Sequence, residues 1–286
     1  MNLFKKNHPN WKKTEILEEL NNFDEIYKQR PIKNNEGGMK YPTMFAIYFI
    51  LKKINPEFVI ESGIWWGQGT WLIEKTLPTA NILSLDINLK KRKYISKKAK
   101  YSESDFKYQD FTSIPENSLA IFDDHQNALE RMMQAKWFNI KHLIFDDNYP
   151  PKQGDCYSIK KAFAKSGLNH QLKIKGIIKT LFIIFLELFK KKTNKNYLIS
   201  SEILSHRFLR DVKPNNVDFR FIERNIETYY EFPPIFKHSK TKWNDNWNDE
   251  EYPTENPLLD NSQKLENQTA FDPSNFYTWP TYVKLL

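Results

Sequence analysis

The sequence of 286 residues predicts an α/β fold in which a mainly parallel sheet is covered by helices on both faces. Short apolar runs alternate with helical patterns through residues 55–170, as they do in such sheets. Three of the chain's eight glycines lie within residues 63–69, directly after one of these runs. Three further runs end in acidic residues, which is typical of strands whose carboxyl ends face a ligand crevice.

The N-terminal part is predicted to be helical. Apolar residues recur at helical spacing over residues 11–30, and a polar loop follows over 31–42. A second helix covers 43–54 and ends before Pro56. Beyond it, the sequence predicts strands at 57–62, 81–86, 105–109, 118–123 and 140–146, and helices at 69–77, 89–100, 126–137 and 157–166.

The C-terminal half is less regular. An apolar segment at 173–192 is followed by a helical pattern at 197–210, and alternation over 218–232 predicts a strand. Residues 239–275 are rich in Asn, Asp, Trp and Pro, and they predict a long loop that covers a site. Residues 281–285 could supply the last strand.

The apolar segment at 173–192 has three interpretations. It falls short of the roughly 20 apolar residues that span a membrane, and Lys179 and Glu187 interrupt it. A helix buried against the domain, a contact between subunits of a homodimer, and a peripheral membrane anchor with basic flanks all fit the pattern.

Composition sets broad limits on partners and compartment. The net charge of +8 and the pI near 9.2 permit anionic partners without selecting among nucleic acid, acidic glycans and membrane surfaces. Cys156 is the sole cysteine, which excludes a disulfide framework and a thiolate zinc cluster. Because the N-terminus lacks the apolar core of a secretory signal, we expect a cytoplasmic protein.

The glycine-rich residues 61–70 lie between an apolar run and a helical pattern. Strand, glycine turn and helix build nucleotide sites at the carboxyl end of the first strand in α/β sheets. Asp86 ends the second apolar run nineteen residues after Gly67, about where a carboxylate meets ribose hydroxyls. Since bulky Trp65 and Trp66 fill the loop, the ligand is expected to lack a phosphate. A tight turn without a ligand is the alternative.

The pattern E-x-G-x-x-x-G-x-G, followed by a strand-terminal acid, resembles the first two motifs of class I S-adenosylmethionine-dependent methyltransferases. The resemblance implies a Rossmann-like, seven-stranded sheet with an antiparallel final pair, and S-adenosylmethionine as the cofactor. The implied cofactor-binding residues are Glu61, Gly63, Gly67 and Gly69 at the methionine and ribose end, Asp86 at the ribose, and Asp110 near the adenine. For Asp110, a turn-forming role is an equal alternative.

Two further strand ends carry neighbouring acids. Asp123 and Asp124 follow the predicted fourth strand, and Asp146, Asp147 and Asn148 follow the fifth. Adjacent strand ends would bring these side chains together, and unpaired carboxylates in such a cluster would repel each other. A divalent cation resolves the repulsion, and hard oxygen ligands suit Mg²⁺, with Mn²⁺ or Ca²⁺ as alternatives. Capping of the next helix by Asp123 or Asp124 is the other interpretation.

This arrangement resembles the divalent-metal-dependent O-methyltransferases, which include catechol-type enzymes, macrolide and other sugar O-methyltransferases, and the cephalosporin-hydroxylase-like group. Two registers remain open under this resemblance. The catechol-type pattern implies Asp124, Asp147 and Asn148 as metal ligands. The sugar-type pattern implies Asp123, Asp146 and Asp147.

The resemblance also implies catalytic residues, His125 and Asp124. The sugar-type pattern has its acid-base residue at the position of His125, and an imidazole with an ordinary pKa of about 6.5 can accept a proton near neutral pH. A structural bond from His125 to a loop carbonyl is the alternative. The chain departs from both types, because Gln126 and Asn127 stand where the catechol type has a lysine, and His125 stands where the sugar type has an aspartate.

The predicted organisation has four parts, namely an N-terminal helical extension at 1–54, a cofactor-binding core at 55–170, an apolar insertion helix at 171–196, and C-terminal strands with a substrate-covering loop at 197–286. The predicted function is methylation of a hydroxyl on a small molecule or sugar. A nucleic-acid methyltransferase is disfavoured, because residues 147–151 do not follow the order of the amino-methylating motif and the lysine-containing catalytic set of a ribose 2′-O-methyltransferase cannot be placed. A non-catalytic cofactor-binding or membrane-associated protein on the same fold is the third hypothesis.

Overall fold

The computed structural model describes residues 7–151, 153–154, 156–167, 213–214, 216–237, 254–260 and 277–286. The helices among these residues are α1 Lys13–Lys28, α2 Tyr41–Ile54, α3 Gln68–Thr76, α4 Ala128–Trp137, α5 Ile159–Phe163 and α6 Asn216–Asn225. The strands of the main sheet are β1 Phe58–Ser62, β2 Asn81–Leu85, β3 Ala99–Ser102, β4 Ser118–Phe122, β5 His142–Phe145, β6 Ile226–Glu231 and β7 Thr281–Leu285.

The main sheet has the strand order β3-β2-β1-β4-β5-β7-β6. Strands β1 to β5 run parallel, and β7 is antiparallel to both β5 and β6. The predicted seven-stranded Rossmann-like sheet with an antiparallel final pair is therefore confirmed. The strand order reverses between β1 and β4, and ligands of open α/β sheets bind at such a switch point, outside the carboxyl ends of the strands.

The two faces of the sheet pack against different helices. Val59 and Ile121 belong to the core under α1, α2 and α3, whereas Ile60 and Leu143 belong to the core under α4, α5 and α6. Alternate residues of a strand point to opposite faces, so strands covered on both sides are apolar throughout. Every side chain at 41–51 is buried, because α2 packs against both α1 and α3.

The predicted helix at 89–100 is wrong. This lysine-rich segment contains a 3-10 turn at Leu89–Lys91 and is otherwise irregular before β3. The backbone N–H groups of Lys93 and Tyr94 both donate to the carbonyl oxygen of Trp66 at 2.9 Å. These bonds hold the segment against the turn after β1, so its high helix propensity does not decide its structure.

Two strand predictions also need correction. The third strand is β3 rather than 105–109, and residues 106–108 form a 3-10 turn. β3 is a short edge strand with few buried residues, so it has little of the apolar signal of the central strands. The predicted strand at 218–232 is α6 followed by β6, and Phe219 and Ile222 of α6 are buried at helical spacing.

The remaining predicted elements that fall on described residues have bounds within three residues of those observed. Predictions for the apolar segment 173–192, the helix at 197–210 and most of the loop at 239–275 lie outside the described residues. Within the part of the chain that the structure describes, no helix is both long and apolar enough to cross a membrane.

Candidate functional site

A cleft of about 200 Å³ opens at the carboxyl ends of β1, β2 and β4, at the switch point of the sheet. Five of the sequence-predicted site residues line it, namely Gly63, Asp86, Asp123, Asp124 and His125. The structure also adds lining residues that the sequence did not suggest, among them Trp65, Ser104, Asp105 and Arg131.

Two glycines shape the turn between β1 and α3. Gly63 and Gly67 have φ angles of +95° and +94°, in the left-handed region that favours glycine. A Cβ at Gly63 would lie 2.2 Å from the carbonyl oxygen of Asp123, and one at Gly67 would lie 2.4 Å from that of Tyr94. The turn therefore needs glycine for both conformation and space, and it packs directly on the backbone that carries the acids after β4.

Asp86 organises this turn from the end of β2. Its Oδ2 accepts the backbone N–H of Ile64 at 2.9 Å and that of Trp65 at 3.2 Å, and its Oδ1 accepts the N–H of Asn88 at 2.8 Å. The carboxylate is fixed at the cleft wall by these bonds. Its predicted contact with a ribose stays a prediction.

Glu61 points into the interior rather than into the cleft. Its side chain is buried beneath α3, where Oε2 accepts hydrogen bonds from the hydroxyls of Thr70 and Ser84. A Cβ at Gly69 would lie 2.3 Å from Oε1, and this oxygen has no hydrogen-bond partner among the described residues. Burial raises the pKa of Glu61 to about 7. The predicted cofactor contacts of Glu61 and Gly69 stay predictions, and neither lines the cleft.

Asp110 lies in an exposed turn. Its Oδ1 accepts hydrogen bonds from the backbone N–H of Thr112 at 2.9 Å and from the hydroxyl of Thr112 at 2.7 Å. Asp110 therefore has the turn-forming role that was the alternative interpretation. Because the third strand ends at Ser102, the residues that follow it into the cleft are Ser104 and Asp105. The predicted adenine contact of Asp110 stays a prediction that this geometry does not support.

Arg131 of α4 is the most connected side chain of the cleft that sequence reasoning missed. Its Nη1 and Nη2 donate to the two carboxylate oxygens of Asp105 at 2.8 and 2.7 Å. Burial alone would raise the pKa of Asp105, but the hydrogen bonds and the charge of Arg131, together with the backbone N–H and the charge of Lys107, outweigh it and lower that pKa. A signal was present, because Arg131 occupies a core position of α4 together with Ala128 and Met132.

Asp124 is held by neighbouring groups on both of its carboxylate oxygens. Oδ2 accepts Nε of Arg131 at 2.9 Å and the hydroxyl of Ser62 at 2.6 Å. Oδ1 accepts the backbone N–H of Gln126 at 3.2 Å. The charge of Asp124 is thus compensated by a buried guanidinium within the protein.

Asp123 and Asp146 come together from the ends of β4 and β5. Burial raises the pKa of Asp123 well above its ordinary value, and the charge of Asp146 and a hydrogen bond between the two side chains add to the rise. Oδ1 of Asp146 also accepts the hydroxyl of Thr278 at 3.0 Å. The two carboxyl groups share a proton more readily than they carry two charges.

Asp147 and His125 form the second contact between these strand ends. Nδ1 of His125 lies 2.8 Å from Oδ2 of Asp147. Oδ1 of Asp147 is buried and lacks a hydrogen-bond partner among the described residues. The backbone of His125 has φ +53°, an uncommon angle for a residue other than glycine, and such strain clusters at functional sites.

Asn148 is built into the structure behind the acids. Its amide nitrogen donates to the hydroxyl of Tyr229 at 2.8 Å and to that of Thr281 at 2.7 Å, and its carbonyl oxygen accepts the backbone N–H of Lys160 at 2.8 Å. The side chain is fully buried. Its predicted role as a metal ligand stays a prediction, and these three bonds already use its polar atoms.

A buried ion pair continues this network. Nζ of Lys160 lies 2.6 Å from Oε1 of Glu231, and both side chains are almost inaccessible to solvent. The hydroxyl of Tyr229 donates to the other oxygen of Glu231 at 2.8 Å. The network ties α5 and β6 to the end of β5, directly behind the acids.

The fit of a divalent cation to these residues is partial. Hard oxygen donors and the unpartnered Oδ1 of Asp147 suit Mg²⁺. However, no group of three or more His, Cys, Asp or Glu side chains is placed to hold an ion within the described ranges. Two alternative sets of metal ligands were predicted. The carboxylates of the first set, Asp123, Asp146 and Asp147, lie where β4 and β5 end. In the other set, Asp124 and Asn148 are bonded elsewhere.

The strand order, the glycine turn after β1 and the acid after β2 together form a Rossmann-like α/β fold, the fold that the resemblance to class I S-adenosylmethionine-dependent methyltransferases implies. No protein-family model matches the chain, and no curated protein matches it.

Several solved structures resemble the chain at low identity. CmcI with SAH shares 14% sequence identity over 49% of this chain and 79% of its own, with a TM-score of 0.35. Podospora anserina methyltransferase PaMTH1 bound to SAH shares 15% over 62% and 79%, with a TM-score of 0.37. The O-methyltransferase TomG from Streptomyces achromogenes in complex with SAM shares 8% over 50% and 67%, with a TM-score of 0.35. Similarity at this level carries no argument about activity.

Proposed function

We propose that the protein is an S-adenosylmethionine-dependent O-methyltransferase that binds a divalent cation, Mg²⁺ in preference to Mn²⁺ or Ca²⁺, and methylates a hydroxyl group of a small molecule or sugar. The observation that carries this proposal is the pair of Asp147 and His125. One oxygen of Asp147 orients His125 at the cleft wall, and the other is buried without a hydrogen-bond partner among the described residues.

The proposed cation ligands are Asp123, Asp146 and Asp147, which would have to move closer together on binding, since they do not form a preset three-ligand group within the described ranges. Asp124 is left out because Arg131 already compensates its charge, and Asn148 is left out because its carbonyl oxygen bonds to α5. A bound cation would stabilise the alkoxide form of the acceptor hydroxyl. In the free protein, the hydrogen bond between the carboxyl groups of Asp123 and Asp146 limits their repulsion.

His125 is the proposed general base. With Nδ1 against the carboxylate of Asp147, the neutral ring carries its proton-accepting lone pair on Nε2. Bound S-adenosylmethionine would supply a methyl group that the acceptor oxygen could attack, while the carbon–sulfur bond would break with its electron pair on sulfur. The hydroxyl proton passes to Nε2 of His125. The methyl donor is already activated, so the remaining task of the cleft is alignment of oxygen, methyl and sulfur.

The proposed cofactor site runs along the carboxyl ends of β1 and β2. The turn with Gly63 and Gly67 would accept the methionine part, and Asp86 would bind the ribose hydroxyls. Ser104 and Asp105 line the part of the cleft that follows β3, where the adenine is proposed to lie. The proposed acceptor lies beyond the methyl group, on the side of His125.

Titration calorimetry with S-adenosylhomocysteine and with Mn²⁺ tests both parts of the proposal. Asp147→Asn removes the proposed ligand charge with little change of shape, and Asp110→Asn is the control in an exposed turn outside the cleft. We expect Asp147→Asn to weaken Mn²⁺ binding by about tenfold or more while S-adenosylhomocysteine affinity changes by less than about threefold. Asp110→Asn should behave as the wild type in both titrations.

The outcomes separate the competing functions. If wild-type protein binds neither S-adenosylhomocysteine nor S-adenosylmethionine, the methyltransferase proposal is wrong and a non-catalytic role on this fold replaces it. If the cofactor binds but Mn²⁺ does not, the metal-dependent part of the proposal is wrong. The proposed homodimer and peripheral membrane contacts through 173–192 lie outside the described residues, and a cytoplasmic location is a proposal as well.

A further inference from the structure

Trp65 occupies an unusual position in the turn between β1 and α3. It lines the cleft and has a φ angle of +51°, a conformation that is strained for a bulky aromatic residue. Strain of this kind persists only where surrounding contacts over-determine it, and it clusters at ligand sites. The contacts of Trp65 therefore indicate what the strained conformation achieves.

Both ends of Trp65 are hydrogen-bonded. Its backbone N–H donates to Oδ2 of Asp86 at 3.2 Å, which ties it to the acid at the end of β2. Its indole Nε1–H donates to the carbonyl oxygen of Glu36 at 2.8 Å, in the loop between α1 and α2. Trp65 thus bridges the core of the fold and the N-terminal helical extension across the mouth of the cleft.

The loop that receives the indole also contributes to the cleft. Gly37 is a lining residue, and a Cβ added to it would lie 3.5 Å from Cζ2 of Trp65. Met39, two residues further along, lies against the start of α3, because a Cβ at Gly69 would lie 2.7 Å from its Cε. The N-terminal loop is therefore seated on the glycine turn at Trp65 and on α3 at Gly69.

The exposed side of Trp65 is supported by its neighbours. The ring stacks on that of Trp66 at a centroid distance of 5.7 Å with an interplanar angle of 11°. Nζ of Lys91 lies 4.6 Å from the Trp65 ring centroid, and Nζ of Lys93 lies over the Trp66 ring. These contacts fix the orientation of the indole without requiring a ligand.

We propose that Trp65 is a cofactor-binding residue that fixes the loop at 36–39 as a wall of the cleft, so that the N-terminal extension is part of the site for the adenosyl cofactor. The inference rests on the proposed function for the identity of the ligand. The bond from Trp65 to Glu36 does not depend on that function, because it is present without any ligand.

Two substitutions of Trp65 distinguish the hydrogen bond of the indole from the contacts of the aromatic ring. A substitution of Trp66 is the matched control. Trp65→Phe retains an aromatic ring but loses the donor to Glu36, whereas Trp65→Ala loses both. Trp66→Phe makes the same change in the adjacent residue, which is not among the residues that line the cleft. Unchanged circular dichroism and melting temperature would establish that each variant is folded.

Hydrogen exchange of the amides at 36–39 tests the tether without ligand. Trp65→Phe and Trp65→Ala should speed this exchange by about fivefold, as expected for the loss of one net hydrogen bond, and Trp66→Phe should leave it unchanged. Calorimetry with S-adenosylhomocysteine tests the binding role. Trp65→Ala should weaken affinity by about tenfold, and Trp66→Phe by less than about twofold.

Two results would overturn the inference. Exchange at 36–39 that is the same in the wild type and both Trp65 variants would show that the indole does not fix the loop. Unchanged S-adenosylhomocysteine affinity in Trp65→Ala, with clear binding by the wild type, would show that the wall does not contribute to the cofactor site. Absence of binding by the wild type would instead overturn the proposed function, together with the cofactor role of Trp65.

Discussion

Nε of Arg131 lies 2.9 Å from Oδ2 of Asp124, and this contact divides the acids of the cleft into two groups. Asp124 and Asp105 are bound to one buried guanidinium. Asp123 and Asp146 are instead bonded to each other. An arginine thus performs for the first pair the charge compensation that we propose a divalent cation performs for the second group.

Replacement of Arg131 should strongly destabilise the fold. Arg131→Met leaves the partly buried Asp105 and Asp124 without their compensating charge, and loss of one partner from a buried pair typically costs about 3–5 kcal/mol. Urea unfolding followed by circular dichroism measures the change. Lys136→Met, at an exposed position of the same helix, should cost less than about 1 kcal/mol. Equal effects of the two substitutions would contradict the prediction.

Glu61 should make stability depend on pH. Its pKa in the folded protein is raised to about 7, above the ordinary value of 4.5, so the folded state holds the proton more tightly than the unfolded state. Stability therefore falls as the pH rises from about 4.5 to about 7, and it is constant with respect to this group above that range. The full effect is at most about 3 kcal/mol.

Glu61→Gln isolates this contribution, since the amide keeps the shape and does not titrate. The unfolding free energy of the wild type minus that of Glu61→Gln should decrease between pH 5 and pH 7 and then level off. Urea unfolding at five or six pH values measures it. A difference that is flat over this range would mean that Glu61 is not held in the interior as the structure describes.

Two ion pairs that each include one residue of β6 should contribute very differently to the free energy of unfolding. Lys160 and Glu231 are buried at 2.6 Å, and Lys160→Met should cost about 3–5 kcal/mol, because it leaves a buried carboxylate unpaired. Lys284 and Glu227 lie at 2.8 Å but are about one-third exposed, and Lys284→Met should cost less than about 1 kcal/mol. Chemical denaturation compares them directly, and a larger loss for Lys284→Met would refute this ranking.

Gly63→Ala should lower the stability of the fold and distort the turn that borders the cleft. The added Cβ meets the backbone of Asp123 and Asp124 and requires φ +95°, so we expect a cost of at least about 2 kcal/mol. Gly38→Ala is the control, since Gly38 does not have a positive φ angle and the three atoms nearest to its Cβ would belong to the side chain of Asn35 rather than to the backbone. The melting temperatures of the two variants test this difference in stability. A Gly63→Ala protein as stable as the wild type would show that position 63 does not require glycine.

Much of the sheet could be predicted from the sequence because its central strands are apolar on both faces. The glycine turn and Asp86 were also predictable, since spacing along the chain fixes where a turn and a strand end meet. β3 could not be found in the same way. Its residues, Ala99 to Ser102, lie at an edge and none is buried, so they lack the apolar pattern that identified the central strands.

The direction in which side chains point explains why the sequence did not predict the other features of the site. Glu61 follows Val59 by two residues in β1, so it shares the face that packs under α3 and turns away from the cleft. The same alternation places Asp124 toward α4, where it meets Arg131, and leaves Asp123 on the side of Asp146. The contact with Arg131 itself requires knowledge of how α4 packs, which local sequence does not contain.

The placement of β7 has a consequence for biosynthesis. β7 comes from residues 281–285, yet it lies in the sheet between β5 and β6, and Thr278 and Thr281 contact the groups after β5. During translation, the growing chain can pair β1 to β5 but must leave the outer edge of β5 open until residues 281–285 have left the ribosome. The acidic end of β5 is then completed in one late step, so a nascent chain is exposed to misassembly at the strand that carries its proposed chemistry.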